Sequence, residues 1–207
     1  MHLGPFTLEK SIGSGGMGDV WRAHHPNGLA VAIKVLRLPL PMADKDHHRV
    51  EVELQALAGL PHPNIVQLLD HGIVSERAAA ATHGALEAGQ VWMAMEHCDG
   101  KDLAQQRPSS WDEFEPLIRD ALKALAFAHA RGVLHRDIKP DNLIRHGSSL
   151  KLADLGLAFS VDHHTETMVA GTPQFMAPEQ LTASWRTFGP WTDLYALASS
   201  VWRLICG

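Results

Sequence analysis

The sequence predicts an α+β chain in two parts, strand-rich first and helical second. Strand candidates bounded by glycine, proline and asparagine fill most of the first hundred residues, with one helical period among them. The second half instead carries two long helical periods. Residues 99–109, opened by Asp99-Gly100, have neither period and mark the crossing. In order, residues 6–12 and 19–24 read as strands joined across a glycine-rich turn. A third strand, 29–36, follows the hairpin signal Asn27-Gly28, whose residues both tolerate positive φ. Residues 44–58 read as a helix with Leu54, Leu57 and Ala58 on one face and Gly59 as its stop. Strands at 65–70 and 90–96 flank an Ala/Gly-rich stretch, 75–89, which lacks a period and is expected to be a long loop. Ser110-Trp111-Asp112-Glu113 is a capping box. It opens a helix with Phe114, Leu117, Ile118, Ala121, Leu122 and Leu125 as the buried stripe, and Gly132 ends it. A small hairpin is expected from 143–144 and 150–152, and a final apolar helix from 192–205.

Composition narrows the classes of function. At 207 residues the chain can bury a sizeable core as one large or two small domains. Its net charge of −5 gives no support to nucleic acid or an anionic membrane as the main partner. Two cysteines, Cys98 and Cys206, form no spaced framework and fit a reducing, cytoplasmic setting. No secretory leader is expected from the first residues, and no apolar run reaches the roughly 20 residues of a membrane span. Fourteen histidines include the doublets His24-His25, His47-His48 and His163-His164. Adjacent residues face different ways and no thiolate framework accompanies them, so they read as solvated histidines rather than a zinc site.

Chemistry concentrates in a few strings. His135-Arg136-Asp137-Ile138-Lys139-Pro140-Asp141-Asn142 places a carboxylate, a cation and an amide on one short loop. That trio can meet a hydroxyl, offset phosphate charge and hold a divalent metal, which are the tasks of phosphoryl transfer. Gly13-Ser14-Gly15-Gly16-Met17-Gly18-Asp19-Val20 fits G-x-G-x-x-G-x-V. Glycines let backbone N–H groups close over phosphate oxygens without Cβ clashes. The string lies between two strands, whereas dinucleotide-binding turns and P-loops open a helix. Val31-Ala32-Ile33-Lys34 follows on the next strand, where Lys34 could reach α- and β-phosphates. Glu53 on the following helix is its candidate partner. Glu51 would face elsewhere by about 200° of helix rotation.

These strings, with Asp154-Leu155-Gly156, Gly171-Thr172-Pro173, Ala177-Pro178-Glu179 and Asp193, resemble the signature set of Ser/Thr protein kinases of the bacterial, eukaryotic-like type. The resemblance covers residues 6–207. It implies a bilobal, protein-kinase-like α+β fold: one kinase domain over 1–207, with a β-rich N-lobe at 1–96 and a hinge and helical C-lobe at 97–207. It implies an ATP-dependent serine/threonine protein kinase acting on Ser/Thr hydroxyls of proteins, with Mg²⁺ as its metal. In that reading Asp137, Lys139, Lys34 and Glu53 are catalytic. Gly13, Gly15, Gly16, Gly18, Val20, Ala32, Lys34, Glu96, Cys98, Asp102 and Leu143 bind the nucleotide. Asn142 and Asp154 hold the metal, with Leu155 standing where the family has Phe. Met95 takes the gatekeeper place and His97 lies at the hinge. Thr172 lies against Asp137 and Lys139, Asp193 steadies the catalytic loop, and Thr165 and Thr167 are candidate phosphorylation sites beside Arg136.

The resemblance also implies helices beyond residue 207, so the C-lobe is expected to be incomplete. Leu197, Val201 and Leu204 are then expected to lack cover, and Glu179 its arginine partner. Ala198 stands where the family usually has glycine. A kinase-like binding module with little turnover is the alternative.

Overall fold

The computed structural model describes residues 1–82, 84–155, 172–182 and 185–207. They form two compact units, Met1–Gly59 with Gln67–His97, and Leu60–Val66 with Cys98–Gly207.

The first unit is built on a six-stranded antiparallel sheet in the order β1-β2-β3-β4-β6-β5. Its strands are β1 His2–Leu3, β2 Phe6–Gly15, β3 Gly18–His24, β4 Ala30–Leu36, β5 Leu68–Ile73 and β6 Val91–Glu96. β4 and β6 lie inside the sheet, and their sequences, AVAIKVL and VWMAME, are correspondingly apolar runs rather than strict alternations. Ile33, Val35, Trp92 and Ala94 bury beside Phe6, Leu8 and Ala23. Helix α1, Asp44–Ala58, packs on β5 and ends at Gly59, as the period and the glycine predict.

Two expectations for this part are corrected. Residues 75–89 do not form a plain loop: they contain a short helix α2, Glu76–Ala81. Ser75 caps it, its Oγ accepting from Ala78 N at 3.2 Å. A run of alanines has helix propensity but no apolar period, so pattern-reading passes over it. The strand expected at 65–70 begins at Leu68 and runs to Ile73. Residues 64–66 join the second unit instead. Leu152 N donates to Asn64 O at 2.8 Å, Val66 N to Leu152 O at 2.9 Å, and the Asn64 amide to Leu150 O at 2.9 Å.

The second unit comprises helix α3 (Trp111–His129), a hairpin of β7 (Leu143–His146) and β8 (Ser149–Leu152), a short α4 (Pro178–Leu181) and a long α5 (Pro190–Cys206). Ser110 Oγ caps α3 by accepting from Glu113 N at 3.3 Å. The return arm of the expected capping box is displaced by one residue, since the Glu113 carboxylate accepts from Ser109 N at 2.8 Å. The buried stripe of α3 is Phe114, Leu117, Ala121, Ala124, Leu125 and Ala128. Leu122 is exposed, because one residue past Ala121 turns about 100° off that line.

The expected exposure on the last helix is reversed. Leu197 and Leu204 are buried at 4% and 7% exposure, beside Ala196, Asp193 and Ser200, and Val201 is half-buried. The open face carries Trp191, Leu194, Tyr195, Trp202 and Ile205 instead, with Trp202 70% exposed. That stripe makes self-association through α5 the expected hazard. The double substitution Trp202→Gln, Ile205→Gln should reduce sedimenting oligomer while leaving the melting temperature nearly unchanged. A melting point lowered as by a core truncation would show these side chains to be packed. Glu179 is half-buried and not left without a partner, since Thr192 Oγ1 donates to its carboxylate at 2.6 Å.

His62 gives the second unit a pH dependence. Its ring lies 4.8 Å from that of Phe127, with Arg131 over the same ring. Burial lowers its pKa from 6.5, and the charges of Lys123, Lys151 and Arg131 lower it further. The folded chain therefore binds that proton less readily than the unfolded chain. The resulting stability is present above the ordinary value of 6.5 and is lost as pH falls from there through the lowered folded value. His62→Asn should flatten the fall in melting temperature between pH 7 and 5; a slope equal to the parent's would refute this.

Candidate active site

The loop carrying Asp137 is fixed from both ends. Gly132, at φ +74°, reverses the chain after α3, and Val133 N donates back to Ala128 O at 3.1 Å. Asp193, on the buried face of α5, then reaches the loop. Its carboxylate accepts from His135 N at 2.8 Å, Arg136 N at 2.7 Å and His129 Nε2 at 2.7 Å. Burial pushes the Asp193 carboxyl up. The His129 hydrogen bond, the His135 ring and the two backbone donors outweigh that and hold its pKa below 3.8. Arg136 sits at φ +67°, an uncommon region for a non-glycine residue, and Asp193 accepts from both its N–H and that of His135 before it. Gln180 donates to Arg136 O at 2.7 Å, and the buried His135 ring meets Ala153 O at 2.8 Å.

So held, Asp137 is buried, and its two oxygens face different partners. Lys139 Nζ pairs with Oδ2 at 3.0 Å; Thr172 N donates to Oδ1 at 3.2 Å. Lys139 also donates to Thr172 Oγ1 at 3.2 Å, closing a triangle. Asn142 donates through Nδ2 to Asp137 O at 2.7 Å, and Ala153 N donates to Asn142 O at 2.9 Å. The register Leu143↔Leu152 thus brings Asn142 to the strand end that leads into Asp154, itself at φ +57°.

In the first unit the glycine-rich string forms the tip of the β2–β3 hairpin, with Gly15 opposite Gly18. Gly18, at φ +155°, lies so close to β4 that a Cβ there would meet Val35 O at 2.2 Å. Across the sheet Gly13 pairs with Val20, Val20 with Lys34, and Ala32 with Met95. Glycine-rich turn, apolar side chains and lysine are therefore brought together on one sheet. Lys34 is buried; on α1, Glu53 is half-buried where Glu51 is exposed.

The protein kinase domain family matches residues 6–207 of this chain. The chain belongs to that family. Serine/threonine-protein kinase PknF of Mycobacterium tuberculosis is 35% identical to this kinase domain over 218 residues, covering 98% of the chain and 43% of the relative. Serine/threonine-protein kinase pkn3 of Myxococcus xanthus is 32% identical over 219 residues, covering 98% and 38%. The chain thus spans less than half the length of these curated relatives. The crystal structure of the Mycobacterium tuberculosis PknI kinase domain superposes with a TM-score of 0.70 at 28% identity, covering 98% of this chain and 74% of that one.

Other residues of the kinase domain fall as follows. Glu96 and Cys98 are half-buried on either side of the boundary between the units, and Leu143 is buried at the start of β7. The Asp102 carboxylate is engaged locally, accepting from Gln105 N at 2.8 Å and from the Gln105 amide. Gly156, Thr165, Thr167 and Gly171 lie outside the described residues. Sequence reasoning missed Gln180 and His129, whose roles depend on chain segments brought together from a distance. It also missed Arg37, whose side chain reaches the glycine-rich turn.

Proposed function

We propose that this kinase domain transfers the γ-phosphoryl group of ATP to serine and threonine hydroxyls of proteins. The observation that carries the reading is the Asp137–Lys139–Thr172 triangle: a buried carboxylate, a cation and a backbone donor locked together. Asp137 orients the acceptor hydroxyl and takes its proton as the oxygen–phosphorus bond forms and the bond to the ADP oxygen breaks. Lys139 offsets charge on the transferring group, and Thr172 supports a Ser/Thr acceptor by holding Lys139 beside the carboxylate. Lys34, with Glu53 as its support, offsets the α- and β-phosphates. The N–H groups of the turn at Gly13, Gly15, Gly16 and Gly18 cover them. Val20, Ala32 and Leu143 flank the base, the backbone at Glu96 and Cys98 reads its edge, and Asp102 meets the ribose.

The residues present fit a magnesium ion. The Asn142 amide nitrogen is committed to Asp137 O, which leaves its Oδ1 as a hard oxygen donor close in the chain's pairing to Asp154. Among the described residues no cluster of three His, Cys, Asp or Glu could hold a metal. Magnesium, bound instead by one or two protein oxygens and the phosphates, supplies charge neutralisation when present. The cytoplasm supplies ATP and keeps thiols such as Cys98 and Cys206 reduced, and we place the reaction there. Among the described residues no helix is long and apolar enough to cross a membrane.

Incubation with γ-labelled ATP, Mg²⁺ and a mixed protein substrate tests the reading. Label is expected in phosphoserine and phosphothreonine, not phosphotyrosine. Asp154→Asn should weaken Mg²⁺-ATP binding by roughly tenfold or more, since one of the metal's oxygens loses its charge. A folded chain that binds ATP without transferring phosphate would remove the catalytic half; one that binds no ATP would remove the whole.

A further inference from the structure

Arg37 follows β4 directly, three residues past Lys34, and its functional groups converge on the glycine-rich turn. Its Nη1 donates to Gly15 O at 2.8 Å, and its Nη2 donates to Ser14 Oγ at 3.0 Å and to Asp19 Oδ1 at 2.7 Å. Its backbone N–H donates to Met17 O at 3.1 Å. One residue therefore touches both arms of the turn and its tip. The side chain is 47% exposed, so this is no core residue satisfied by default.

A trans peptide is planar, with its C=O and N–H pointing opposite ways. Fixing Gly15 O on the guanidinium therefore aims Gly16 N–H away from Arg37, toward the other face of the turn. The planar fork of arginine suits this, because it offers several donors in fixed directions; a lysine would offer one mobile point charge. Asp19 adds a second requirement. It places a carboxylate two residues from the tip of a turn meant for anions. The Ser14 hydrogen bond lowers its pKa against burial, and Arg37 lowers it further, so the group is ionised at neutral pH. Arg37 balances that charge on the spot, and the phosphates meet a neutral pair rather than an anion.

We propose that Arg37 is a positioning residue for the nucleotide's phosphates: it clasps the glycine-rich turn to the end of the Lys34 strand, aims the turn's N–H groups, and cancels the charge of Asp19. The inference rests on the nucleotide-binding reading given above. It predicts a defect specific to phosphates. Arg37→Ala should raise the dissociation constant for Mg²⁺-ATP, and KM for ATP, roughly five- to twentyfold, with kcat much less affected. Affinity for adenosine, which has no phosphates, should be unchanged. Arg37→Lys should recover part of the loss, and adding Asp19→Asn to Arg37→Ala a further part by removing the uncompensated charge.

Calorimetric titration of the full chain with Mg²⁺-ATP and with adenosine, beside hydrogen exchange of residues 13–19 without ligand, tests this. Faster exchange of the turn in Arg37→Ala, together with a loss confined to ATP, is the expected result. Equal losses for ATP and adenosine would make Arg37 a general stabiliser and overturn the proposal, as would an unchanged ATP affinity. If the parent itself does not prefer ATP over adenosine, the nucleotide reading fails and the positioning role falls with it. The exchange measurement would then still report whether Arg37 holds the turn.

Discussion

Asp137→Asn is expected to reduce phosphate transfer by roughly 10²-fold or more while changing ATP affinity less than about threefold. The substitution keeps the shape of the side chain and removes its charge and basicity. It also breaks the local pairing in a way that can be foreseen. Both oxygens of Asp137 face donors, Lys139 Nζ at 3.0 Å and Thr172 N at 3.2 Å, and an amide can offer an acceptor to only one of them. The other donor is left facing an NH₂ group, at a cost of about 1–3 kcal/mol in a buried setting. The melting temperature should therefore drop by several degrees alongside the loss of turnover. Single-turnover kinetics with calorimetry on the same sample separate the effects. A variant that turns over at the parental rate would show Asp137 to be a structural carboxylate.

The second large effect is expected at Asp193. Asp193→Ala should destabilise the chain by about 3–5 kcal/mol, the range for removing one partner of a buried charged network. The residue is fully buried and satisfies two backbone N–H groups and the His129 ring. Without it those donors have no acceptor, and Arg136 loses the grip that accompanies its left-handed backbone. Transfer activity should fall more steeply than the folded fraction, because Asp137 lies one residue beyond the released segment. Chemical denaturation paired with activity at a temperature where the variant remains folded would check this. Full activity in the folded variant would mean the loop holds its own shape.

Some of this was legible in sequence. Asp44–Ala58 was, because a helical period ended on a glycine. The strands beside the glycine turn and the Leu143–Leu152 hairpin were legible from alternation and turn residues. The loop around Asp137 was legible because its residues are chemically specific and adjacent. What escaped depends on neighbours that sequence does not place. The orientation of the last helix is an example. Both of its faces are apolar, so periodicity could not decide which one meets α3; the small Ala196 and Ser200 and the anchor Asp193 decide it. Ser75–Ala81 escaped because a capped alanine run has no face. Arg37 escaped because its three acceptors, at 14, 15 and 19, come within reach only once β4 lies alongside β3.

The reach of Asp193 also orders events in time. Its partners lie 57, 58 and 64 residues earlier in the chain. Helix α3 can form from local contacts alone, but the backbone at 135–136 has to wait until the last helix has been made and docked. Closing so long a loop costs entropy that is recovered only when all three bonds form together. During synthesis, therefore, the strands of the first unit and their glycine-rich turn are made well before the backbone at 135–136 is held. The loop that carries Asp137 therefore takes its final shape only once α5 is in place, and local contacts alone do not set it.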